Sequence, residues 1–295
     1  MPTNHQSDYP KVFVGTLYIG ENELEQCIES IESQSYPSIE QEIIRFLPNK
    51  EAHEKLYKRF MSLQSEFDYF IKIDADMVLN RDTIVEELLE IFQQDSSLDH
   101  GIFAVKDWYS DRNILGMHMF SNRANWQFSQ EDLFVDYQPE IQGQRKIFWD
   151  EPAPVADHSP EPSISHAYQF GFHRALKVIQ RDRLIKNVGQ AELQLDLLRD
   201  IWHLLLRDQS PRRAAVILGA ERAFQSNAKK LEIKGDKDSD IEDEIERLDI
   251  SQLISKHQGH WDGTVYLLRK IKYVSLQKYL LKKPSAAVKR IFRSK

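Results

Sequence analysis

The sequence predicts an α/β fold, a mostly parallel sheet flanked by helices, followed by a helical C-terminal region. Three observations carry this. The first third alternates short apolar runs with helix-period segments three times. A stretch holding Pro152, Pro154, Pro160 and Pro162 then interrupts the pattern. From Ala167 onward the spacing is helical. Strand and helix alternating over short connections implies parallel strands covered on both faces.

The elements follow in order. Lys11 to Leu17 is a short apolar, β-branched run, predicted as a buried strand. Asn22 is a plausible N-cap, and Glu23 and Glu25 suit the positive end of a helix. Leu24, Cys27, Ile28 and Ile31 then form one apolar face, and Ser35-Tyr36-Pro37 ends that helix. Glu42 to Leu47 is predicted as a second strand. His53 to Phe67 has helical spacing through Leu56, Phe60 and Leu63. Tyr69 to Ile73 is a third strand that runs into Asp74-Ala75-Asp76. Asp82 opens another helix, with Ile84, Val85, Leu88, Leu89 and Phe92 facing inward. Gly101 to Trp108 and Ile114 to Ser121 are predicted as strands joined by the turn Ser110 to Asn113, with Ile147 to Trp149 a further short one. The prolines make the stretch to about residue 163 a loop held over something. Helices are expected over Gln190 to Leu206 and, after Pro211, over Ala214 to Phe224. Residues 234–249 are acidic and expected to be exposed.

Composition narrows the function. The chain has 295 residues, 41% hydrophobic and 11% aromatic, enough for a real core and against wholesale disorder. There are 39 Lys and Arg against 46 Asp and Glu, a net charge of -7, which disfavours nucleic acid as a partner. The mean hides a split. Thr264 to Lys295 holds ten basic and no acidic residues. The rest keeps 29 basic against 46 acidic, a net -17. Cys27 is the single cysteine, so no intramolecular disulfide forms and a reducing compartment is the simple reading. The polar Met1 to Pro10 has no signal-peptide core, and no apolar run is long enough to span a bilayer. The expectation is a soluble, cytoplasmic protein.

Asp74-Ala75-Asp76 is the sharpest chemical feature. Both carboxylates lie where a buried strand leaves the carboxyl edge of a parallel sheet, the edge at which open α/β sheets bind ligands. Two hard oxygen donors there suit Mg2+ or Mn2+ carrying a diphosphate. The alternative is a cap for the next helix, a role that Asp82 or Asn80 already fills.

An ordered set of segments accompanies that pair: Phe13 to Leu17, Glu21 to Ile31, Gln34-Ser35-Tyr36-Pro37, Glu42-Ile43-Ile44 and Phe70 to Met77. Together they resemble a nucleotide-sugar glycosyltransferase of the GT-A fold, most like glycosyltransferase family 2, over about the first 95 residues. In one place the sequence departs. After the second strand the family usually has an acidic pair whose Asp meets the nucleobase, and here stands Phe46-Leu47-Pro48-Asn49-Lys50.

The resemblance implies roles. Asp76 would hold the divalent cation, with Asp74 nearby on the ribose or on metal-bound water. Thr16, Tyr18 and Glu21 would line the nucleotide pocket, with plain loop packing as the competing account. A third metal ligand is expected farther along, and His158 in Asp157-His158-Ser159-Pro160 is the candidate, ahead of His166 and His173. The base that takes the acceptor's proton would be Asp132 of Gln130-Glu131-Asp132-Leu133, with Asp136 its rival and an ordinary helix start as the bland account. Asp107-Trp108 offers a carboxylate and a stacking surface for a sugar ring, or an ordinary core tryptophan.

The expected activity is transfer of a sugar, with inversion, from a nucleotide-diphosphate donor (a UDP-sugar by default) to a hydroxyl of a glycan or lipid-linked acceptor, with Mn2+ or Mg2+. A metal-dependent nucleotidyltransferase, and an inactive scaffold or membrane-associated subunit, are the rivals. The expected layout is a GT-A domain over 1–165, a helical region over 166–263 and a basic amphipathic tail over 264–295. In the tail Leu276, Tyr279, Leu280, Val288, Ile291 and Phe292 form an apolar stripe that could lie on an anionic membrane, at the inner face, or pack on the acidic body.

Other signals fail on their own terms. Asp236 to Asp240 begins like a calcium loop but has Ile241 and Arg247 where glycine and glutamate are required. His257-Gln258-Gly259-His260-Trp261-Asp262 has ligand-type residues without an evident scaffold and is expected to be a loop contact. No phosphate-cradling glycine motif occurs.

Overall fold

The structure, a computed structural model, describes residues 9–128, 140–179, 188–226 and 239–274. The chain divides into two compact units between Pro162 and Ser163.

The first unit is an eight-stranded mixed sheet covered by helices on both faces. Its strands are β1 (Val12–Tyr18), β2 (Ile39–Arg45), β3 (Tyr69–Asp74), β4 (Met77–Leu79), β5 (Leu98–Asp107), β6 (Arg112–Ser121), β9 (Gln144–Phe148) and β10 (Ala156–His158), while β7 (Asn125–Gln127) and β8 (Glu140–Gln142) pair separately. The order is β2-β1-β3-β6-β5-β10-β4, and β9 also pairs with β5. β1 lies parallel between β2 and β3, with Val12 opposite both Ile39 and Tyr69. Such a strand is buried on both faces, which is why it reads as an unbroken apolar run.

The helices are α1 (Leu24–Glu32), α2 (Asn49–Ser62) and α3 (Ile84–Gln94). On one face, α2 and Trp126 of β7 build an aromatic core. The Phe60 ring contacts those of Phe13, Phe70, Phe120 and Trp126 at centroid distances of 5.0–6.2 Å. Gly15 makes that contact possible, because a Cβ there would lie 2.1 Å from Leu56 Cδ1. On the other face, Ile31 of α1 and Ile84 and Val85 of α3 meet Val14, Ile71 and Ile73 of the sheet.

Several local expectations shift. The second strand runs Ile39–Arg45 rather than from Glu42, and α2 starts at Asn49 behind Pro48. Glu23, not Asn22, precedes α1 as its cap residue, and Thr83, not Asp82, precedes α3. The proline-rich stretch holds a strand, β10, inserted parallel to β5 and antiparallel to β4. Three residues between prolines give no readable alternation, and the strand forms because two neighbours offer it hydrogen bonds.

The second unit is helical: α4 (Ile164–Ile179), α5 (Val188–Asp208), α6 (Pro211–Gln225), α7 (Ser239–Glu246), α8 (Ile250–Trp261) and α9 (Gly263–Tyr273). The helical path breaks after Asp208 as expected, and α6 begins at Pro211 itself rather than at Ala214, with Ser210 as the N-cap. α6 is buried along nearly its whole length. It approaches α4 so closely that a Cβ on Gly171 would stand 1.9 Å from Val216 O, and one on Gly219 2.1 Å from Tyr168 O. Ile241 and Ile245 of α7 are buried, so the acidic stretch has an inner side where it is described. The residues His257 to Trp261 belong to α8 and not to a loop. No helix among the described residues is long and apolar enough to cross a membrane.

Candidate functional site

The site is built at the carboxyl ends of β1 and β3. Ala75 N donates to Leu17 O (2.9 Å), so the chain folds over the end of β1 directly after Asp74. β4 follows and is pinned from α1: Leu79 N donates to Ser30 Oγ (3.1 Å). Gln34 does the same for the start of α3, donating to Arg81 O (2.8 Å) and accepting from Val85 N (3.1 Å). The turn carrying Asp74 and Asp76 is thereby fixed at both ends.

Asp74 is held from its own strand. Lys72 lies two residues earlier, so both side chains leave β3 on one face. Its ammonium, almost wholly buried, donates to Asp74 Oδ2 at 2.7 Å. A lysine inside the apolar Phe70-Ile71-Lys72-Ile73 was the available signal, and sequence reasoning passed over it.

Asp76 is held by the segment around β10. Ser159 N donates to Asp76 O (2.6 Å), and Ser159 Oγ donates to Asp76 Oδ2 (3.1 Å). His158 Nε2 stands 3.3 Å from the same Oδ2. The other ring nitrogen, Nδ1, is 2.8 Å from Asp107 Oδ1. A carboxylate only accepts, so Nδ1 carries the proton. Asp107 is fully buried, and its second oxygen accepts from Ser110 N (2.8 Å) and from the Ser110 hydroxyl. Burial works to lower the pKa of His158, but Asp76 and Asp107 outweigh it and hold it up at about 10.

Two glutamates complete an acidic rim. Glu21 accepts from Ile19 N (2.7 Å) and Gly20 N (3.1 Å), within a turn that Gly20 closes at φ +120°. Burial first, then the charge of Asp76, raises its pKa to about 7. Glu23, also buried, accepts from Glu161 N (3.1 Å), and its pKa is raised by burial and then by Asp76. With Ser159 on Asp76 and Glu161 on Glu23, the proline-rich segment is stapled across the edge.

The donor set fits a divalent cation that displaces the Nε2 proton which Asp76 and Asp107 hold on His158. Bonds of about 2.1 Å place adjacent ligand atoms roughly 3.0–3.4 Å apart, the spacing of Asp76 Oδ2 and His158 Nε2. An imidazole whose far N–H is held by a carboxylate, as Asp107 holds His158, has its ligating nitrogen oriented in advance. One nitrogen and carboxylate oxygen suit Mn2+ better than Mg2+. Asp74 does not join them in one three-donor cluster; its Oδ2 accepts from Lys72.

The remaining candidates fall as follows. Tyr18 ends β1, its ring 5.1 Å from that of Phe46, with the Arg45 guanidinium 5.2 Å from the Tyr18 centroid. Phe46 is 67% exposed and has a positive φ. Thr16 is fully buried, its hydroxyl accepting from Gln41 Nε2 at 2.8 Å. Asp107 does not offer its carboxylate outward to a sugar, being spent on His158 and Ser110. His166 and His173 lie on α4 of the other unit. Asp132 and Asp136 lie outside the described residues, as does the apolar stripe from Leu276 to Phe292.

No protein-family model matches the sequence, and no curated protein matches it. Solved structures are similar in outline. One is a mannosyltransferase from Pyrobaculum calidifontis in complex with GDP-Man and Mn2+, 11% identical, with 75% of this chain and 89% of that chain covered and a TM-score of 0.41. Another is S. aureus TarS, 12% identical, where 80% of this chain covers 55% of that one at a TM-score of 0.35. TarS 1–349 in complex with UDP-GlcNAc is 11% identical, with 80% and 92% covered and a TM-score of 0.33. Each likeness is faint, and the functional reading rests on the residues of the sheet edge.

Proposed function

We propose that the chain is a metal-dependent glycosyltransferase, taking a sugar from a nucleotide-diphosphate donor and transferring it with inversion to a hydroxyl of a glycan or lipid-linked acceptor. The observation that carries this is the convergence of Asp76 Oδ2 and His158 Nε2, 3.3 Å apart, at the carboxyl edge of the sheet. Asp76 and His158 would hold Mn2+ or Mg2+, with Asp74 beside them. When bound, the ion neutralises charge that develops on the departing diphosphate.

The chain's own residues do the rest. Tyr18 and Phe46 present aromatic surface where the nucleoside would lie, in place of an acidic residue. Glu21 shapes the loop beneath it. In the transfer, the acceptor oxygen bonds to the anomeric carbon as that carbon's bond to the diphosphate breaks. The acceptor's proton passes to a base, for which Asp132 is proposed and Asp136 is the rival. The donor is taken to be a UDP-sugar.

Thermal stability with UDP-, GDP- and CDP-sugars, with and without Mn2+, tests this. The preferred nucleotide stabilises the protein by mass action, and the gain vanishes without metal and in Asp76→Ala. A gain that survives both changes, or no gain from any nucleotide, overturns the donor site. Contact with an anionic membrane through 264–295 is proposed separately. Tyr266 and Lys270 of α9 are buried in the helical unit, while Val265 and Leu268 of the same helix are exposed. Full-length protein should sediment with anionic vesicles and the 1–274 fragment should not; equal behaviour defeats the idea.

A further inference from the structure

The helical unit holds a second constellation that the sheet edge does not use. Glu221 lies on α6, and His257 and His260 lie three residues apart on one face of α8. Their ligand-type atoms converge. His260 Nδ1 is 3.2 Å from Glu221 Oε2, His257 Nδ1 is 3.6 Å from the same oxygen, and the two Nδ1 atoms are 3.4 Å apart. Among the described residues this is the one group of three His, Cys, Asp or Glu side chains whose donor atoms all lie within 4.8 Å of one another.

We propose that Glu221, His257 and His260 form a zinc-class divalent metal site. The triangle has the size of one face of a tetrahedron: bonds of about 2.0–2.1 Å to zinc set ligand atoms roughly 3.3–3.4 Å apart. Two imidazoles and one carboxylate are a zinc-type donor set, whereas Mg2+ and Ca2+ take oxygen. Glu221 is nearly fully buried and its other oxygen, Oε1, accepts from Arg269 Nη1 at 3.0 Å, while Arg269 Nη2 is 3.4 Å from Oε2. Arg269 thus fixes the carboxylate plane with a short hydrogen bond to Oε1 and a longer one to Oε2, and Oε2 also faces the two histidines, as an outer partner holds a metal ligand. Its positive charge has to be met on the open side. There the cluster borders a groove of about 300 Å³ lined also by Phe224, Leu268, Lys272 and Tyr273. His260, 40% exposed, stands at its rim, so a fourth position opens on the groove and takes water or an anion. The loaded site would tie α8 to α6.

The test uses full-length, tag-free protein carrying Asp76→Ala, which removes the ion proposed for the sheet edge, stripped with chelator and dialysed. Equilibrium dialysis against Zn2+ should give one tightly bound equivalent per chain, and zinc should raise the melting temperature. Adding His260→Ala, at a partly exposed position, should lower zinc affinity at least about 100-fold with far-UV circular dichroism unchanged. Co2+ bound to the Asp76→Ala protein should show the intense visible bands of tetrahedral coordination, a readout that needs no change at the cluster. No tight zinc in the Asp76→Ala protein, unchanged affinity after His260→Ala, or only the weak spectrum of octahedral Co2+ overturns the assignment.

Discussion

His158 and Asp107 meet 2.8 Å apart across neighbouring strands, β10 and β5, with both side chains buried. Asp107 touches nothing outside the protein in this arrangement. Its work is to hold the Nδ1 proton, and with it the ring whose Nε2 faces Asp76.

Asp107→Asn tests that positioning. An amide can present its NH2 to Nδ1, which favours the proton on Nε2, so the nitrogen that faces Asp76 no longer offers a lone pair to a cation. Mn2+ affinity is expected to fall about 10–100-fold, with the fold kept. Isothermal titration with Mn2+ reads this, and an unchanged affinity would remove Asp107 from the site.

Asp74 has a structural debt to Lys72. With Asp74→Ala the buried ammonium loses its 2.7 Å acceptor. Since Asp74 is one-third exposed, solvent softens the loss, and a cost of about 2 kcal/mol is expected. Adding Lys72→Met should recover most of it. Urea unfolding of the three variants closes the cycle, and simple additivity would show that the pair is not coupled.

Two glycines should differ in what they tolerate. At Gly15 an added methyl meets Leu56 Cδ1 and the Phe60 ring, side chains that can shift, so Gly15→Ala is expected to cost about 1–3 kcal/mol. At Gly171 it meets the backbone of Val216, which cannot shift alone. Gly171→Ala should cost more than Gly15→Ala, measured by denaturant midpoint at constant slope. The reverse order would contradict the packing.

His100 should make stability fall in mild acid. Its ring is buried, stacked 4.5 Å from Phe120, and burial and then Arg145 lower its pKa from 6.5 to about 3. The sign follows from proton uptake: between pH 6.5 and 3 the unfolded chain binds a proton that the native one refuses. Stability is therefore complete above pH 6.5 and drops by up to about 1.4 kcal/mol per pH unit below it. His100→Gln should flatten that slope by one proton, whatever it does to absolute stability. An unaltered slope would show that His100 is not the titrating group.

Much of this was legible in the sequence, for physical reasons. The strands β1 and β3 are buried on both faces and so spell continuous apolar runs, and the faces of α1 and α3 show clean helical periodicity. The pair Asp74 and Asp76 stood out because charge follows the apolar run of β3. What escaped depends on partners distant in the chain. β10 exists only between β4 and β5, and the role of Asp107 depends on His158, 51 residues away. His257 and His260 looked like loop residues because the surrounding sequence offered no evident scaffold, yet Asp249 caps the helix that carries them, accepting from Ser251 N and Gln252 N.

The antiparallel pairing of β10 with β4 sets His158 opposite Met77, the residue after Asp76. The gap between the imidazole and the carboxylate is therefore measured by a hydrogen-bond ladder, whose strand separation is close to a constant of protein architecture. β9 pairs with the earlier part of β5, the strand that also holds β10, and leaves that gauge to β10 and β4. The separation of Asp76 and His158 is thereby a property of backbone pairing rather than of any one side chain.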